Sequence, residues 1–394
     1  PASAGLLSES EVESLLRGHA AMETVSKEQA QSDVSLLFRT LQSAYGAYEY
    51  FGQEKFDAAE DAVTQWLSSQ DDEIKVSALG EKLQESLAFM LAHDAHAVIY
   101  EPAAEEIEAQ VRYEYFFADG FYFSKDVNGS YYMVNDGERW TLSSFSDEHV
   151  SVQPTLLQDG RIVYQPTLFA LRKDAVQSSV TLKNSSGKAK IYRLDWTESQ
   201  PLDVDLGTLD YRLIQEDGLT YVSLRSFVSG TYDNMLARYA REGAKARGSK
   251  AVIYDLRGNV GGSDSWPRKW IQSFLGTQNS IETSMLYAQK NSALFAAENS
   301  ESLLPEDEGT CFAREVHGTW YENDIPIIVL VDDHCGSSGE GAVQLLKTLD
   351  NVLIVGSNTA GYQLCGNVST FTLPYTGIGV RFGSCLLYTS DAAD

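Results

Sequence analysis

The chain has 394 residues, enough for two or three domains, and its 43% hydrophobic content with 21 tyrosines describes a folded protein rather than a disordered one. A formal charge of −26 repels phosphate backbones, which argues against nucleic acid as a partner. No apolar run reaches the roughly 20 residues that span a bilayer, so no transmembrane segment is expected.

From Glu9 to His93 apolar residues recur at helical spacing, as in Leu37, Leu41, Ala44, Tyr45 and Tyr48, and the expected N-caps are Ser32 or Asp33 and Ser77. The last of these helices runs into Asp94-Ala95-His96, where an apolar strand begins. From Val111 to Trp196 the pattern changes to short aromatic strands, with hairpin turns at Asn128-Gly129, Asp136-Gly137, Asp159-Gly160 and Ser186-Gly187. Strands and helices then alternate, the mark of an α/β domain. Its expected elements are a strand at 219–225, a helix at 234–246, a strand into Asp255-Leu256-Arg257, a helix at 266–274 and a strand at 281–289. An irregular acidic segment is expected over 291–318, a strand buried on both faces at 326–331, a helix to Leu349, a buried strand at 352–355 and a hairpin across Tyr375-Thr376-Gly377.

Two stretches carry chemistry. Ser337 sits where a strand feeds a helix through the break at Gly336, and free N–H groups at a helix start stabilise a developing oxyanion, so Ser337 is a candidate nucleophile. The paired Gly261 and Gly262 let the backbone come close to a substrate carbonyl and aim N–H groups at it. The four cysteines show no C-x-x-C or zinc spacing, so no metal site and no cofactor follow, while a single Cys311 to Cys365 bridge stays open.

Asp255 to Gly262 reads D-L-R-x-N-x-G-G, Ser337-Ser338-Gly339-Glu340 reads S-x-x-E, and Val355 to Gly361 reads V-G-x-x-T-x-G. In this order the three motifs resemble the serine peptidases that include the C-terminal processing (tail-specific) proteases, the tricorn core and the interphotoreceptor retinoid-binding repeats. The resemblance implies a crotonase-like (ClpP-like) α/β catalytic domain at 206–384, preceded by a small helical domain at 1–100 and a β-rich domain at 101–205 where processing proteases carry a PDZ domain. It implies an oxyanion hole from Gly261, Gly262 and Ser338, a polypeptide substrate, no metal, and an extracytoplasmic location. The D-x-H ending of the helical region resembles the tricorn-like branch, which makes His96 the general base to Ser337; His93 is the competitor, and His334 is expected to be a loop residue.

A lysine follows T-x-G in the lysine-dyad branch, but here Tyr362 follows Gly361, so a Ser-His pair is expected instead. A histidine base is oriented by a carboxylate. In tricorn-like relatives this is a glutamate further along the chain; Asp94 is not assigned that role, and Glu340 is expected to support the helix start. The last ten residues, CLLYTSDAAD, resemble a translated sequencing adapter, so 385–394 is expected to be a non-native tail and the catalytic domain to be cut short. The expected activity is peptide-bond hydrolysis through an acyl-enzyme. The alternatives are a catalytically silent scaffold with the same fold, or an esterase or acyl transferase using the same nucleophile.

Overall fold

The computed structural model describes residues 7–100, 113–118, 120–147, 149–157, 161–171, 178–198, 211–230, 232–299 and 307–388. The expected domain boundary at 205–206, the Asp159-Gly160 turn and residues 389–394 lie outside the described residues. Helix and sheet are mixed, and the chain divides into two compact units that do not follow sequence order. One holds residues 1–112, 282–318 and 361–394, and the other 113–281 and 319–360.

In the first unit the N-terminal helices share a single core with strands from late in the chain: Leu37, Leu41, Val63 and Leu83 pack in one cluster with Phe371, Val380 and Phe382. The strands form a sheet in the order Cys311–Val316, Met285–Lys290, Gly379–Tyr388, Cys365–Thr372, and Val98–Tyr100 pairs with the first half of Gly379–Tyr388. That last strand runs through Cys385, which is buried. The helix Lys27–Ala44 starts at Ser26 rather than at Ser32 or Asp33, because Ser26 and Gln29 close a capping box. Asp33 is instead buried inside that helix, where its carboxylate accepts the Thr376 N–H at 2.8 Å and the Thr376 hydroxyl at 2.7 Å and so fixes the expected hairpin turn. Helix Val76–Ser86 begins one residue before Ser77, after Lys75. Segment 291–318 contains a helix, Ala293–Glu298, and the strand Cys311–Val316, so it is not irregular throughout. All four cysteines are free, and Cys311 is exposed while Cys365 is buried, which removes the bridge left open above.

In the second unit residues 113–198 make two antiparallel sheets. The Asp136-Gly137 turn has positive φ at both residues (53° and 77°), as a two-residue hairpin requires, and joins Tyr131–Asn135 to Glu138–Phe145. Phe123, Trp140, Val180, Leu182 and Leu194 fill the core of this part. The remaining strands form one sheet in chain order: Arg212–Glu216 (β1), Leu219–Ser223 (β2), Ala251–Asp255 (β3), Ile327–Val331 (β4) and Val352–Gly356 (β5). From β2 to β5 the pairing is parallel. Helices Asp233–Ala246 (α1), Ser265–Leu275 (α2) and Ser338–Leu346 (α3) cover the sheet, with Leu236, Trp270 and Leu346 packed on Val252 and Val329 in one core. β5 is an edge strand with Leu353 59% exposed, not the buried strand that its apolar run suggests. No helix among the described residues is long and apolar enough to cross a membrane.

Candidate active site

Four loops follow the C-terminal ends of the parallel strands β2 to β5, which is where open α/β sheets place their chemistry. They are Leu224–Phe227, Leu256–Gly262, Asp332–Ser337 and Ser357–Ala360. β4 is apolar and buried on alternate residues, and α3 begins at Ser338 directly after Ser337. Ser337 itself has φ 52° and ψ −122°, a region that residues with a side chain rarely occupy. Such a backbone costs on the order of 1–3 kcal/mol and persists only where its surroundings impose it, commonly at functional sites. A serine on a strained strand-to-helix turn is the arrangement that exposes a nucleophilic hydroxyl.

Hydrogen bonds from the neighbouring loops impose this backbone. Glu340 is buried, and its Oε2 accepts the Ser337 N–H at 2.9 Å while its Oε1 accepts the Thr359 hydroxyl at 2.7 Å. Ala360 N–H donates to Cys335 O at 2.9 Å, so the T-x-G loop and the nucleophile turn are held together twice. Asn259, fully buried, ties three segments: its Nδ2 donates to Leu224 O, its Oδ1 accepts the Gly261 N–H at 2.9 Å, and its carbonyl accepts the Gly336 N–H at 2.8 Å. Ser338 Oγ donates to Gly262 O at 2.9 Å, which pins the first turn of α3 to the glycine pair.

The glycines are required by contact as well as conformation. A Cβ on Gly261, at φ 99°, would stand 2.6 Å from Ser337 Cβ, and one on Gly262, at φ 137°, would stand 2.1 Å from the Phe227 carbonyl carbon. Ser337, Ser338, Gly261 and Gly262 therefore meet at one point of the second unit. The Gly261 N–H is already given to Asn259.

Beneath the glycine turn, Asp255 is buried and accepts from Arg257 at 2.8 and 3.0 Å, from the Tyr221 hydroxyl at 2.7 Å and from Arg225 at 3.3 Å. Burial raises its carboxyl, but the bonds from Arg257, Tyr221 and Arg225 outweigh that and hold it at about 2. The Asp-Leu-Arg motif is thus the anchor of the loop, with Asn259 as its clamp; both were visible as motif letters, and neither had a role that sequence could supply. The ligand atoms of Asp332, Asp333 and His334 lie within 4.8 Å of one another and are the residues here that could hold a cation. Asp332 already accepts the Gly258 N–H at 2.8 Å, and His334 Nδ1 lies 2.9 Å from Asp333 Oδ1.

His96 lies in the other unit. It is buried just before the strand Val98–Tyr100, with its ring edge-on to Tyr362 at 4.7 Å between centroids. Its N–H donates to Asp94 Oδ1 at 2.9 Å, and its carbonyl accepts from Arg381 Nε at 3.1 Å. Burial first and the Arg381 charge second lower the imidazole to about 4, against the Cys365 backbone, so the ring is neutral near pH 7. His93, by contrast, is exposed, with Nδ1 2.8 Å from the Phe89 carbonyl.

The strained serine stands at a helix start beside a glycine pair and an Asp-Leu-Arg anchor, and residues 218–393 match the family model "Peptidase family S41". This region is that of an S41 serine-type peptidase. Its substrate is accordingly a polypeptide. No curated protein matches the chain. Among solved structures, mature CPAF is similar at 13% identity and TM-score 0.47, covering 93% of this chain and 90% of that one. A putative peptidase from Parabacteroides merdae is similar at 17% identity and TM-score 0.43, covering 93% and 85%. A photosystem II D1 C-terminal processing protease follows at 14% identity and TM-score 0.40, covering 91% and 88%. Likeness at this level assigns no residue roles, so the roles in the S41 region rest on its own geometry.

Proposed function

We propose that this S41 peptidase cleaves polypeptides through an acyl-enzyme on Ser337, with His96 as general base and the N–H groups of Ser338 and Gly262 as the oxyanion donors. Ser337 Oγ attacks the scissile carbonyl and its proton passes to His96. The negative oxygen is received by the two N–H groups, and His96 returns the proton to the leaving amine before water repeats the cycle in reverse. The observation that carries the reading is the strained Ser337 backbone locked by Glu340 and by the contact with Gly261. Gly261 shapes this hole by its lack of a side chain, and its own N–H serves Asn259. His96 is favoured as base over His93 because its ring is buried and neutral near pH 7, whereas His93 is exposed with Nδ1 against the Phe89 carbonyl.

The catalytic sheet is proposed to belong to a crotonase-like (ClpP-like) domain over 206–384, with 1–100 and 101–205 as a helical and a β-rich domain, and the protein is proposed to act outside the cytoplasm. The test is labelling by a fluorophosphonate probe alongside turnover of peptide and simple ester substrates. Labelling is expected to vanish in Ser337→Ala and to fall at least about 10²-fold in His96→Gln. Labelling that survives Ser337→Ala would remove the nucleophile assignment, and turnover of esters without peptides would replace peptidase by esterase.

A further inference from the structure

We propose that the outer edge of β5 docks the polypeptide substrate, with a segment flanking the bond to be cut added to the five-stranded sheet as one more strand. The inference rests on the chain being a peptidase and deepens that reading by naming where its substrate is held. β5 ends its sheet, so one side of its backbone has no strand beside it among the described residues. The Asn351 carbonyl accepts the Ile327 N–H of β4 at 2.9 Å. Across the same peptide plane the Val352 N–H therefore points away from β4, and strand alternation turns the Ile354 N–H the same way.

Natural sheet edges are guarded by charge, proline or bulges against such pairing. The opposite edge, β1, reads Arg-Leu-Ile-Gln-Glu and has a charge at each end. In the β-rich part of the same unit the edge strand Val150–Leu156 carries Pro154, which has no N–H to give. β5 reads Val-Leu-Ile-Val-Gly, with neither charge nor proline, and Leu353 and Ile354 are exposed on it. A peptide that adds to such an edge gains main-chain bonds for affinity and side-chain contacts at alternate residues for preference.

The position of β5 says which chain covers it. It runs straight into Ser357–Ala360, whose Thr359 and Ala360 are bonded to Glu340 and Cys335 beside Ser337. A strand added outside β5 lies about 10 Å from β4, the strand that leads into Ser337. Just past β5, Ser357 and Asn358 share a cleft with Pro154 and Thr155, and Asp333 lines it from the β4 side. A chain laid on β5 is thus led toward the nucleophile turn. The other natural occupant of an open edge is the same edge of a second copy, but two chains of charge −26 repel one another. The polypeptide substrate carries no such fixed charge, and segments with apolar residues at alternate positions suit the exposed Leu353 and Ile354 best.

The test uses the Ser337→Ala protein and a short fluorescein-labelled peptide alternating valine with glutamine, beside an analogue N-methylated at every second residue. Binding is read by fluorescence polarisation at about 150 mM salt, where the net charge is screened. The plain peptide is expected to bind and to slow hydrogen exchange of the 352–356 amides. The N-methylated analogue should bind at least about tenfold more weakly, the scale of a lost main-chain hydrogen bond. Ile354→Pro, which removes one outward N–H at an edge position, should weaken the plain peptide by a similar factor while far-UV circular dichroism stays native. Absence of binding, equal affinity of the two peptides, or exchange at 352–356 that binding leaves unchanged overturns the proposal, and none of these readouts needs the proline variant to fold. A wild-type dimer in sedimentation that becomes monomeric in Ile354→Pro gives the edge to a second copy and overturns it as well. Cleavage of the peptide by Ser337→Ala would remove the nucleophile assignment but not the docking edge, because slowed exchange at 352–356 reports binding whichever residue does the chemistry.

Discussion

Gly261 is the position at which the nucleophile turn tolerates least change, because a methyl group there would meet Ser337 Cβ at 2.6 Å while also straining a backbone at φ 99°. Gly261→Ala is expected to lower the fluorophosphonate labelling rate by at least about 10², the scale of losing an oxyanion donor, while far-UV circular dichroism stays native. An unchanged rate would show that Ser337 is set by Glu340 alone. His96 makes a second residue-level prediction. Its folded value of about 4 lies below the ordinary 6.5, so between those values unfolding takes up a proton that the folded ring refuses. Stability from this group is full above 6.5 and is lost as pH falls toward 4. The difference in unfolding free energy between wild type and His96→Gln should shrink by roughly 3 kcal/mol from pH 7 to 4, at 1.36 kcal/mol per pH unit. A pH-independent difference in denaturant titrations would contradict the buried neutral ring.

At the scale of elements, the loop after β3 stands on the Asp255 cluster, and helix α3 stands on Asn259 and Glu340. Asp255→Asn leaves the Arg225 guanidinium, only 7% exposed, without its counter-charge. Breaking a buried pair in this way is expected to cost about 3–5 kcal/mol, read from the denaturant midpoint. The sign with pH follows from a carboxyl held at about 2 instead of the ordinary 3.8: its stabilisation is complete above 3.8 and is lost as pH falls through 2. Wild type should therefore lose its advantage over Asp255→Asn in that acid range, and an advantage that persisted at pH 2 would show the cluster to be held by shape rather than charge. The elements also show where pattern reading stopped. The capping box at Ser26 and Gln29 is present in the letters, but Asp33 is also a good cap residue, and only its partner Thr376, 343 positions away, shows that its carboxylate serves a distant turn instead of the helix start.

For the molecule as a whole, a charge of −26 makes the folded state repel itself, and compaction brings those charges together. Raising ionic strength from about 10 to 150 mM shortens the Debye length from roughly 30 to 8 Å and should raise the thermal midpoint by several degrees. A midpoint that falls with salt would mean that surface ion pairs outweigh the net repulsion. The two-unit division has the same long-range origin: Leu37 and Phe382 share a core although almost the whole chain separates them.

The sequence by itself determined the chemistry-bearing letters and most of the elements that carry them. Strand-then-helix around Ser337, the glycine turn after β3, the hairpin turns at Asp136-Gly137 and Ser186-Gly187, and α1, α2 and α3 all follow from local pattern. Period, turn residues and motif spacing act over a few residues and can be read there. Only the tertiary structure decided what depends on partners far along the chain. It made β5 an exposed edge despite its apolar run, gave Asp33 to a distant hairpin, set Asp255 among Arg225, Arg257 and Tyr221, and pressed Gly261 against Ser337. Burial and hydrogen bonding are properties of where the chain returns to itself, and one sequence carries the groups but not, by inspection, their meetings.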